Sequence, residues 1–249
     1  MKDGRLRAAT SGWHYGHWRG PFYPERLPKR DYLRFYSAHF DTVEINNSFY
    51  RLPDESTLKN WRSSTPEGFV FSVKAPRQIT HNKKLKDPDS TLPPFLERIR
   101  TLGEKLGPVL FQLPPRWNAD AGRLREFLDA LPEGLRCAFE FRNAGWFTAE
   151  VYDMLRDRNS AFCIYGLAGT ESPRKVTADF VYVRLHGPTE AYSGSYSDAA
   201  LLDWAEEASA WLDEGKDVYF YFDNDEAGHA VEDALRFKQK VEGLRSVKR

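Results

Sequence analysis

Short apolar runs alternate with amphipathic stretches along the whole chain. Eight runs rich in apolar or β-branched residues have the composition of strands. They cover residues 6–12, 42–48, 69–75, 109–113, 136–142, 161–165, 180–186 and 218–223. Most are separated by segments with apolar residues at helical spacing. Repeated strand–helix units favour a parallel sheet, and eight of them predict an α/β fold, a single (β/α)8 TIM-like barrel.

The segments between the strands differ in how clearly they predict structure. Residues 95–107 and 199–215 have the apolar stripe of a helix, and the first of these ends in Gly. Residues 166–178 show no helical pattern. Residues 76–94 are expected to be a long basic loop, of the kind that often forms a lid or binding segment. No Pro- or Ser-rich linker divides the chain, so a single domain, 1–249, is expected.

Polar residues alternate with apolar ones inside the predicted strands. In residues 42–48, Val43 and Ile45 alternate with Glu44, Asn46 and Ser48. The outer face of a barrel strand packs on helices, so the polar residues should point inward. The same test on other strands gives the inward set Ser72, Lys74, Gln112, Glu140, Arg142, Tyr182, Arg184, His186, Tyr219, Tyr221 and Asp223. Many of them fall at the C-terminal strand ends, where catalytic groups of this fold lie.

Two interpretations of this polar ring stay open. Buried polar clusters mark ligand sites often enough that a site is the favoured interpretation. The alternative is a structural plug, in which Glu44 and Glu140 are neutralised by Lys74, Arg142 and Arg184. Burying an unpaired charge costs several kcal/mol, so each charge must find a partner in either case.

Composition places the chain among ordinary globular proteins. It balances 36 Lys and Arg against 36 Asp and Glu, so any electrostatic attraction to a ligand must be local. No apolar run approaches the ~20 residues of a membrane helix, and no signal peptide is evident at the start. We therefore expect no membrane partner and a cytoplasmic location. Cys137 and Cys163 lie in strand-like runs and are expected to be buried thiols.

The chain resembles the DUF72, or YecE-like, family of uncharacterised proteins. The matching motifs are TSGWHYGHWRGPFYP (10–24), VEINNSFYRLP (43–53), FVFSVKAPRQITH (69–81), GPVLFQLPP (107–115), FEFRNAGW (139–146), FVYVRLHGP (180–188) and YFYFDND (219–225). They span nearly the whole chain in the family's order. The resemblance implies a TIM-like barrel and no established reaction. Its motif positions here are Trp13, Tyr15, Glu44, Asn46, Tyr50, Lys74, Pro76, His81, Gln112, Glu140, Arg142, Trp146, Arg184, His186, Gly187, Asn224 and Asp225.

The chain departs from the family pattern at two positions. Asp223 stands where the family more often has Asn, and Gly166 stands where an acidic residue is expected. If that acid is a ligand or base in relatives, the departure implies altered binding or lost activity.

Basic residues near the strand ends suit an anionic ligand such as a phosphate or carboxylate. They are Arg51, Lys74, Arg77, His81, Arg142, Arg184 and His186. A helix expected to start near Ala227, beside Asn224 and Asp225, offers a second place for phosphate. Alternatively, Asp225 caps that helix.

Glu44 and Glu140 are the candidates for general acid and base. Lys74 is a candidate nucleophile or anion ligand, and His186 a base, a metal ligand or a core histidine. Asn46 and Gln112 would orient the substrate. Aromatic residues in the expected top loops either stack on a base or sugar or anchor the loops: Trp13, Tyr15, Trp18, Tyr23, Trp146, Tyr192 and Tyr196.

The sequence assigns no cofactor and no metal ligand. It contains neither a GxGxxG nor a Walker motif. The pairs His14/His17 and Asp223/Asp225 lack diagnostic spacing for a metal. A divalent metal held by Glu44, Glu140, His186 and Asp223 is an alternative.

Three function classes follow. The leading hypothesis is an enzyme, of hydrolase or lyase type, acting on a nucleotide, nucleic acid or phosphorylated metabolite by general acid/base chemistry. The second is a glycoside hydrolase using a carboxylate pair. The third is a non-catalytic protein that binds nucleic acid or a small anion. Fold alone does not choose among them, and the sequence sets no oligomeric state.

Overall fold

Strands and helices alternate in the computed structural model, which describes residues 3–247. The strands are β1 Leu6–Thr10, β2 Thr42–Ile45, β3 Val70–Lys74, β4 Leu106–Leu113, β5 Cys137–Phe141, β6 Ala161–Leu167, β7 Thr170–Glu171, β8 Phe180–Leu185 and β9 Asp217–Phe222. The helices are α1 Tyr32–Tyr36, α2 Glu55–Ser64, α3 Pro88–Ile99, α4 Ala121–Asp129, α5 Ala149–Asp157, α6 Asp198–Asp213 and α7 His229–Val247. All strands except the short β7 belong to a parallel series in the order β1-β9-β8-β6-β5-β4-β3-β2. Strand order and alternation with helices are those of a (β/α)8 barrel, which confirms the predicted fold class.

The chain divides into two compact units. Among the described residues, the first unit comprises 3–44, 164–172 and 179–247, and the second comprises 45–163 and 173–178. In the first unit, β1 and β8 each pair with β9, and the Gly12 amide donates to the Glu44 carbonyl at 2.8 Å. In the second unit, β4 pairs with β3 and β5, and β5 pairs with β6. Whether the chain is one domain stays a prediction.

The strands consist largely of buried residues. Every residue of β5 and of β8 is buried, although each strand includes charged side chains. Strands of parallel sheets are usually buried on both faces, and burial on this scale is typical of them. Side-chain caps fix the starts of several helices; Asp120 accepts from the Arg123 amide and Thr148 from the Val151 amide. The strands are therefore positioned by apolar packing, and charges inside them must be satisfied locally.

The eight predicted strands are confirmed, with shifted ends. β2 stops at Ile45, and a 3-10 turn follows over Asn47–Phe49. The Ser48 hydroxyl donates to the carbonyls of Ile45 and Lys74, at 2.9 and 2.6 Å, which stabilises the turn. A serine whose hydroxyl bonds nearby carbonyls competes with strand pairing.

Among the connections, residues 76–94 were wrongly predicted to be one long loop. They contain a π-helical turn, Gln78–Asn82, and the start of α3 at Pro88, because Pro suits the first helical position. The helix predicted over 95–107 ends as α3 at Ile99 and continues as a 3-10 segment, Arg100–Lys105. The helix predicted over 199–215 is confirmed as α6, and residues 166–178 have no helix, as predicted.

Candidate functional site

Glu44 is the centre of a buried hydrogen-bond network in the first unit. Its Oε1 accepts from the Ser11 hydroxyl at 2.7 Å, and its Oε2 accepts from the Tyr182 hydroxyl at 2.7 Å. Arg184 donates to both oxygens, with Nη2 at 2.7 Å from Oε1 and Nε at 3.0 Å from Oε2. Both Glu44 and Arg184 are fully buried. This bidentate geometry is the strong form of the arginine–carboxylate pair.

Arg184 also ties His186 and Asp223 into this network. Its Nη2 donates to Asp223 Oδ2 at 3.0 Å, and its Nη1 lies 3.1 Å from His186 Nε2. An arginine can only donate, so Nε2 must accept and the proton must sit on Nδ1. His186 Nδ1 then donates to Asp223 Oδ2 at 2.9 Å. The geometry therefore fixes one neutral tautomer of His186.

We call Ser11, Glu44, Tyr182, Arg184, His186 and Asp223 the Glu44 network. Its charges are two carboxylates and one guanidinium, with His186 neutral. The network is therefore negative by one charge, and its buried arginine is directed at the protein's own side chains. The sequence-based expectation placed Arg184 and His186 among the groups that attract an anion, and this charge balance does not favour that role for them.

Asp225 and its neighbours lie at the end of β9. The carbonyl of Asp225 accepts from the Trp18 indole at 3.2 Å and from His17 Nε2 at 2.6 Å. Burial, and then the negative charge of Asp223, raise the pKa of Asp225 to about 6. The same carboxylates, after burial, hold the pKa of Tyr15 above its usual value.

The cap role proposed for Asp225 is wrong. Its side chain makes no cap hydrogen bond with the 3-10 turn Glu226–Gly228, and α7 starts only at His229. Neighbouring Asn224 is fully buried and uses its amide nitrogen to donate to Gly194 O and Asp233 Oδ2, at 2.7 and 2.8 Å. Asn224 therefore ties the end of β9 to the loop before α6 and to α7.

A second cluster lies on β3, β4 and β5 of the second unit. The Arg142 guanidinium Nε donates to Glu140 Oε1, and Glu140 is fully buried. Gln112 is the register partner of Glu140 across the β4–β5 pair. The Cys163 thiol lies 3.8 Å from Glu140 Oε2. Glu140 thus accepts from Arg142 at one carboxylate oxygen and lies near the Cys163 thiol at the other.

Lys74, at the end of β3, belongs to the same cluster. Its ammonium lies 4.6 Å from the centre of the Phe49 ring, a cation–π contact, and the Phe49 ring meets the His81 ring edge-on at 4.9 Å. Desolvation, followed by the positive charges of Lys74 and Arg77, lowers the pKa of His81 to about 4. Glu140 acts in the opposite direction on His81. We call Lys74, Arg77, His81, Glu140 and Arg142 the Lys74 cluster; it has three fixed positive charges and one carboxylate.

The aromatic candidates separate by exposure. Five of them, Trp13, Trp18, Tyr23, Trp146 and Tyr196, are buried, so their ring faces are used in packing. The Trp146 indole, for example, donates to the Trp117 carbonyl at 2.9 Å. For these five, burial favours the loop-anchor interpretation. Tyr50 and Tyr192 are exposed, by 76% and 49%.

The remaining orienting candidates, Asn46 and Gln112, make different kinds of bond. The backbone carbonyl of Asn46 accepts from the Phe49 amide at 3.2 Å at the start of the 3-10 turn. The Gln112 amide donates to the Leu113 carbonyl at 3.0 Å. Both side chains are half-buried.

Sequence reasoning missed Ser11 and Phe49. Ser11 directly follows β1 and bonds Glu44, and Phe49 joins Lys74 to His81. The position of Ser11 at a strand end was a usable signal. Phe49 gave none, because its role depends on the turn that replaces the end of the predicted strand.

Neither a metal centre nor a membrane-spanning helix is found within residues 3–247. No three His, Cys, Asp or Glu side chains in this part of the chain are grouped to hold a metal ion, so the four-residue cage is not found there. No helix in the same range is long and apolar enough to cross a membrane.

Comparisons with known proteins agree on one family. The family model described as "Protein of unknown function DUF72" matches residues 7–248. The UPF0759 protein YunF of Bacillus subtilis (strain 168) is 28% identical over 261 residues, covering 89% of this chain and 89% of that protein. The UPF0759 protein YecE of Escherichia coli (strain K12) is 33% identical over 116 residues, covering 46% of this chain and 43% of that protein. The crystal structure of a DUF72 family protein from Thermotoga maritima superposes with a TM-score of 0.87 at 29% identity, covering 96% of this chain and 99% of that one.

Proposed function

This chain belongs to the DUF72 family, and we propose that this member is an enzyme acting on a small anionic molecule bound at the Lys74 cluster. The observation that supports this most is the local excess of positive charge. The cluster contains three cations, Lys74, Arg77 and Arg142, and one carboxylate, Glu140. Burial, and after it the charges of Lys74 and Arg77, holds the pKa of His81 low. A local positive site on a chain of zero net charge selects phosphate- or carboxylate-bearing ligands.

Within this site the roles follow from position. Lys74 and Arg77 would hold the anionic oxygens, because their positive charges both act at His81. Glu140 would transfer the proton, and Arg142 would keep its carboxylate oriented. His81 is neutral at pH 7, since its pKa is about 4, and so it would serve as a hydrogen-bonding group for the ligand. Gln112, the register partner of Glu140, would orient the substrate.

The Glu44 network is assigned a supporting role in this proposal. Glu44 and Arg184 are fully buried and satisfy each other, and Arg184 occupies the nitrogen that His186 would need as a base. Proton transfer by Glu44 or His186 would require these bonds to break. Glu140 is also fully buried and paired with Arg142, and we keep the acid/base role for it because it belongs to the cluster with the excess of positive charge, where the anion is proposed to bind.

We propose a reaction of the hydrolase or lyase class. General acid/base chemistry on a phosphorylated metabolite or nucleotide needs one positioned carboxyl group and cationic anchors, which is what the Lys74 cluster contains. A cytoplasmic location suits such a substrate.

Nuclear magnetic resonance titration of His81 tests the binding step. An anion at the cluster offsets the charges of Lys74 and Arg77, so saturating inorganic phosphate should raise the pKa of His81 above about 4. Lys74→Gln should itself raise the pKa of His81 and weaken the phosphate effect. Lys83→Gln, which removes an exposed lysine paired with Asp87, is the matched control and should change neither.

Turnover is tested separately with a panel of phosphorylated metabolites and nucleotides. Glu140→Gln should abolish turnover and leave phosphate binding within about threefold of the wild type. An unchanged pKa of His81 at saturating phosphate would contradict the anion site. Phosphate binding with full activity in Glu140→Gln would contradict the acid/base role.

A further inference from the structure

A separate cavity of about 550 Å³ lies in the second unit, where the turn after β2 meets α2 and α3. We call it the Tyr50 cavity and define it by Tyr50, Arg51, Pro53, Trp61 and Arg98. Its volume is within the ~300 to 1,000 Å³ range of small-molecule sites. The cavity contains none of the residues of the Lys74 cluster.

Tyr50 presents an unusual amount of aromatic surface at this cavity. Its side chain is 76% exposed, more than any other large hydrophobic residue found exposed among those described. The Tyr50 ring contacts the Phe49 ring edge-on, with 5.0 Å between the ring centres. Most of the remaining surface of Tyr50 is exposed. Trp61, 7% exposed, half-buried Pro53 and half-buried Leu52 provide further apolar surface.

Charge at the cavity favours an anion. Arg51 and Arg98 contribute two positive charges, and Asp54 contributes the one negative charge of the lining. The Asp54 carboxylate is occupied, because its Oδ1 accepts from the Thr57 amide and the Ser56 hydroxyl at the start of α2. Arg98 is held in place by donating to the Pro53 carbonyl at 3.2 Å. An exposed guanidinium, such as that of Arg51, is well suited to phosphate or carboxylate.

From the exposed ring and these two arginines we infer that the Tyr50 cavity is a second ligand site, for a planar aromatic ring that bears a phosphate or carboxylate. The ring stacks on Tyr50, and the anionic group pairs with Arg51 and Arg98. This inference does not rest on the function proposed for the Lys74 cluster. A nucleoside monophosphate and a simple aromatic acid share this chemistry.

Isothermal titration calorimetry with matched probes tests the site. Phenyl phosphate should bind about tenfold more tightly than inorganic phosphate, because only the former can stack on Tyr50. Tyr50→Leu should remove this preference, and Tyr50→Phe should retain it. Adenosine monophosphate and benzoate, titrated in parallel, show whether a nucleotide or a simple aromatic acid is preferred.

The controls separate this site from the Lys74 cluster. Arg51→Gln should weaken phenyl phosphate binding severalfold, whereas Arg30→Gln, which removes an exposed arginine of the first unit, should not. Lys74→Gln should leave the preference for phenyl phosphate over phosphate intact. Equal affinities for the two probes, or a preference that survives Tyr50→Leu, would overturn the inference.

Discussion

Arg184 and Glu44 show how individual charged residues are accommodated in this chain. Both side chains are fully buried, and the carboxylate accepts hydrogen bonds from Ser11, Tyr182 and Arg184. A buried ion pair contributes little net stability when complete, because desolvation opposes the attraction. Removing one partner, however, leaves an uncompensated charge in the interior.

Arg184→Gln should therefore lower the free energy of unfolding by about 3 to 5 kcal/mol. The loss can be measured by urea denaturation. Lys59→Gln, which removes an exposed partner of Glu55 on α2, is the control and should cost no more than about 0.5 kcal/mol. A loss below about 1 kcal/mol for Arg184→Gln would show that Glu44 finds another partner or takes up a proton at little cost.

Asp225 should give the stability a specific pH dependence. Its pKa is raised to about 6 from 3.8, so between these values the folded chain binds a proton that the unfolded chain releases. The stabilisation linked to that proton is complete below pH 3.8 and is lost as the pH rises through about 6. The free energy of unfolding of Asp225→Asn, relative to that of the wild type, should therefore rise between pH 4 and 6 and keep this difference at higher pH.

Urea unfolding of both proteins at steps of pH measures this difference. A stability difference that stays flat across the range would show that Asp225 titrates alike in the folded and unfolded chains.

At the scale of elements, side-chain caps and turns decide where the segments begin and end. Four helices, α2, α4, α5 and α6, start with a side chain that accepts from a backbone amide of the first turn. Strand β2 instead ends early because the Ser48 hydroxyl bonds two carbonyls. Local hydrogen bonds of this kind place Phe49 under Lys74, so a strand end determines part of the candidate site.

Ser197 offers a clean test of capping. Its hydroxyl accepts from the Ala200 amide at 3.2 Å at the start of α6. Ser197→Ala should lower the free energy of unfolding by about 1 kcal/mol, whereas Ser197→Gly should cost about 0.3 kcal/mol, since Gly is accepted at this position. Chemical denaturation compares the two, and equal losses would mean that the hydroxyl does not act as a cap.

Across the whole molecule, the net charge is zero, but two clusters of side chains have net charges of opposite sign. The Glu44 network has two carboxylates and one arginine, and the Lys74 cluster has three fixed cations and one carboxylate. This segregation is why the anion site is proposed for only one of them. Its consequence for function is that charge changes in the two clusters should act differently, on stability in the first and on ligand binding in the second.

The sequence by itself determined the order of strands and helices. It also determined which face of each strand the polar side chains occupy, among them Glu44, Lys74, Glu140 and Arg184. Both follow from local periodicity, since side chains alternate along a strand and apolar runs must be covered. Motif resemblance identified the family from the same residues. The sequence did not determine which charged side chains pair with each other. Glu44 and Glu140 were expected to be neutralised by Lys74, Arg142 and Arg184, and the folded chain pairs Glu44 with Arg184, 140 residues away. Tertiary structure decided these pairings, the exposure of Tyr50 and the pKa of His81, because each depends on distances between segments that the order of residues along the chain does not specify.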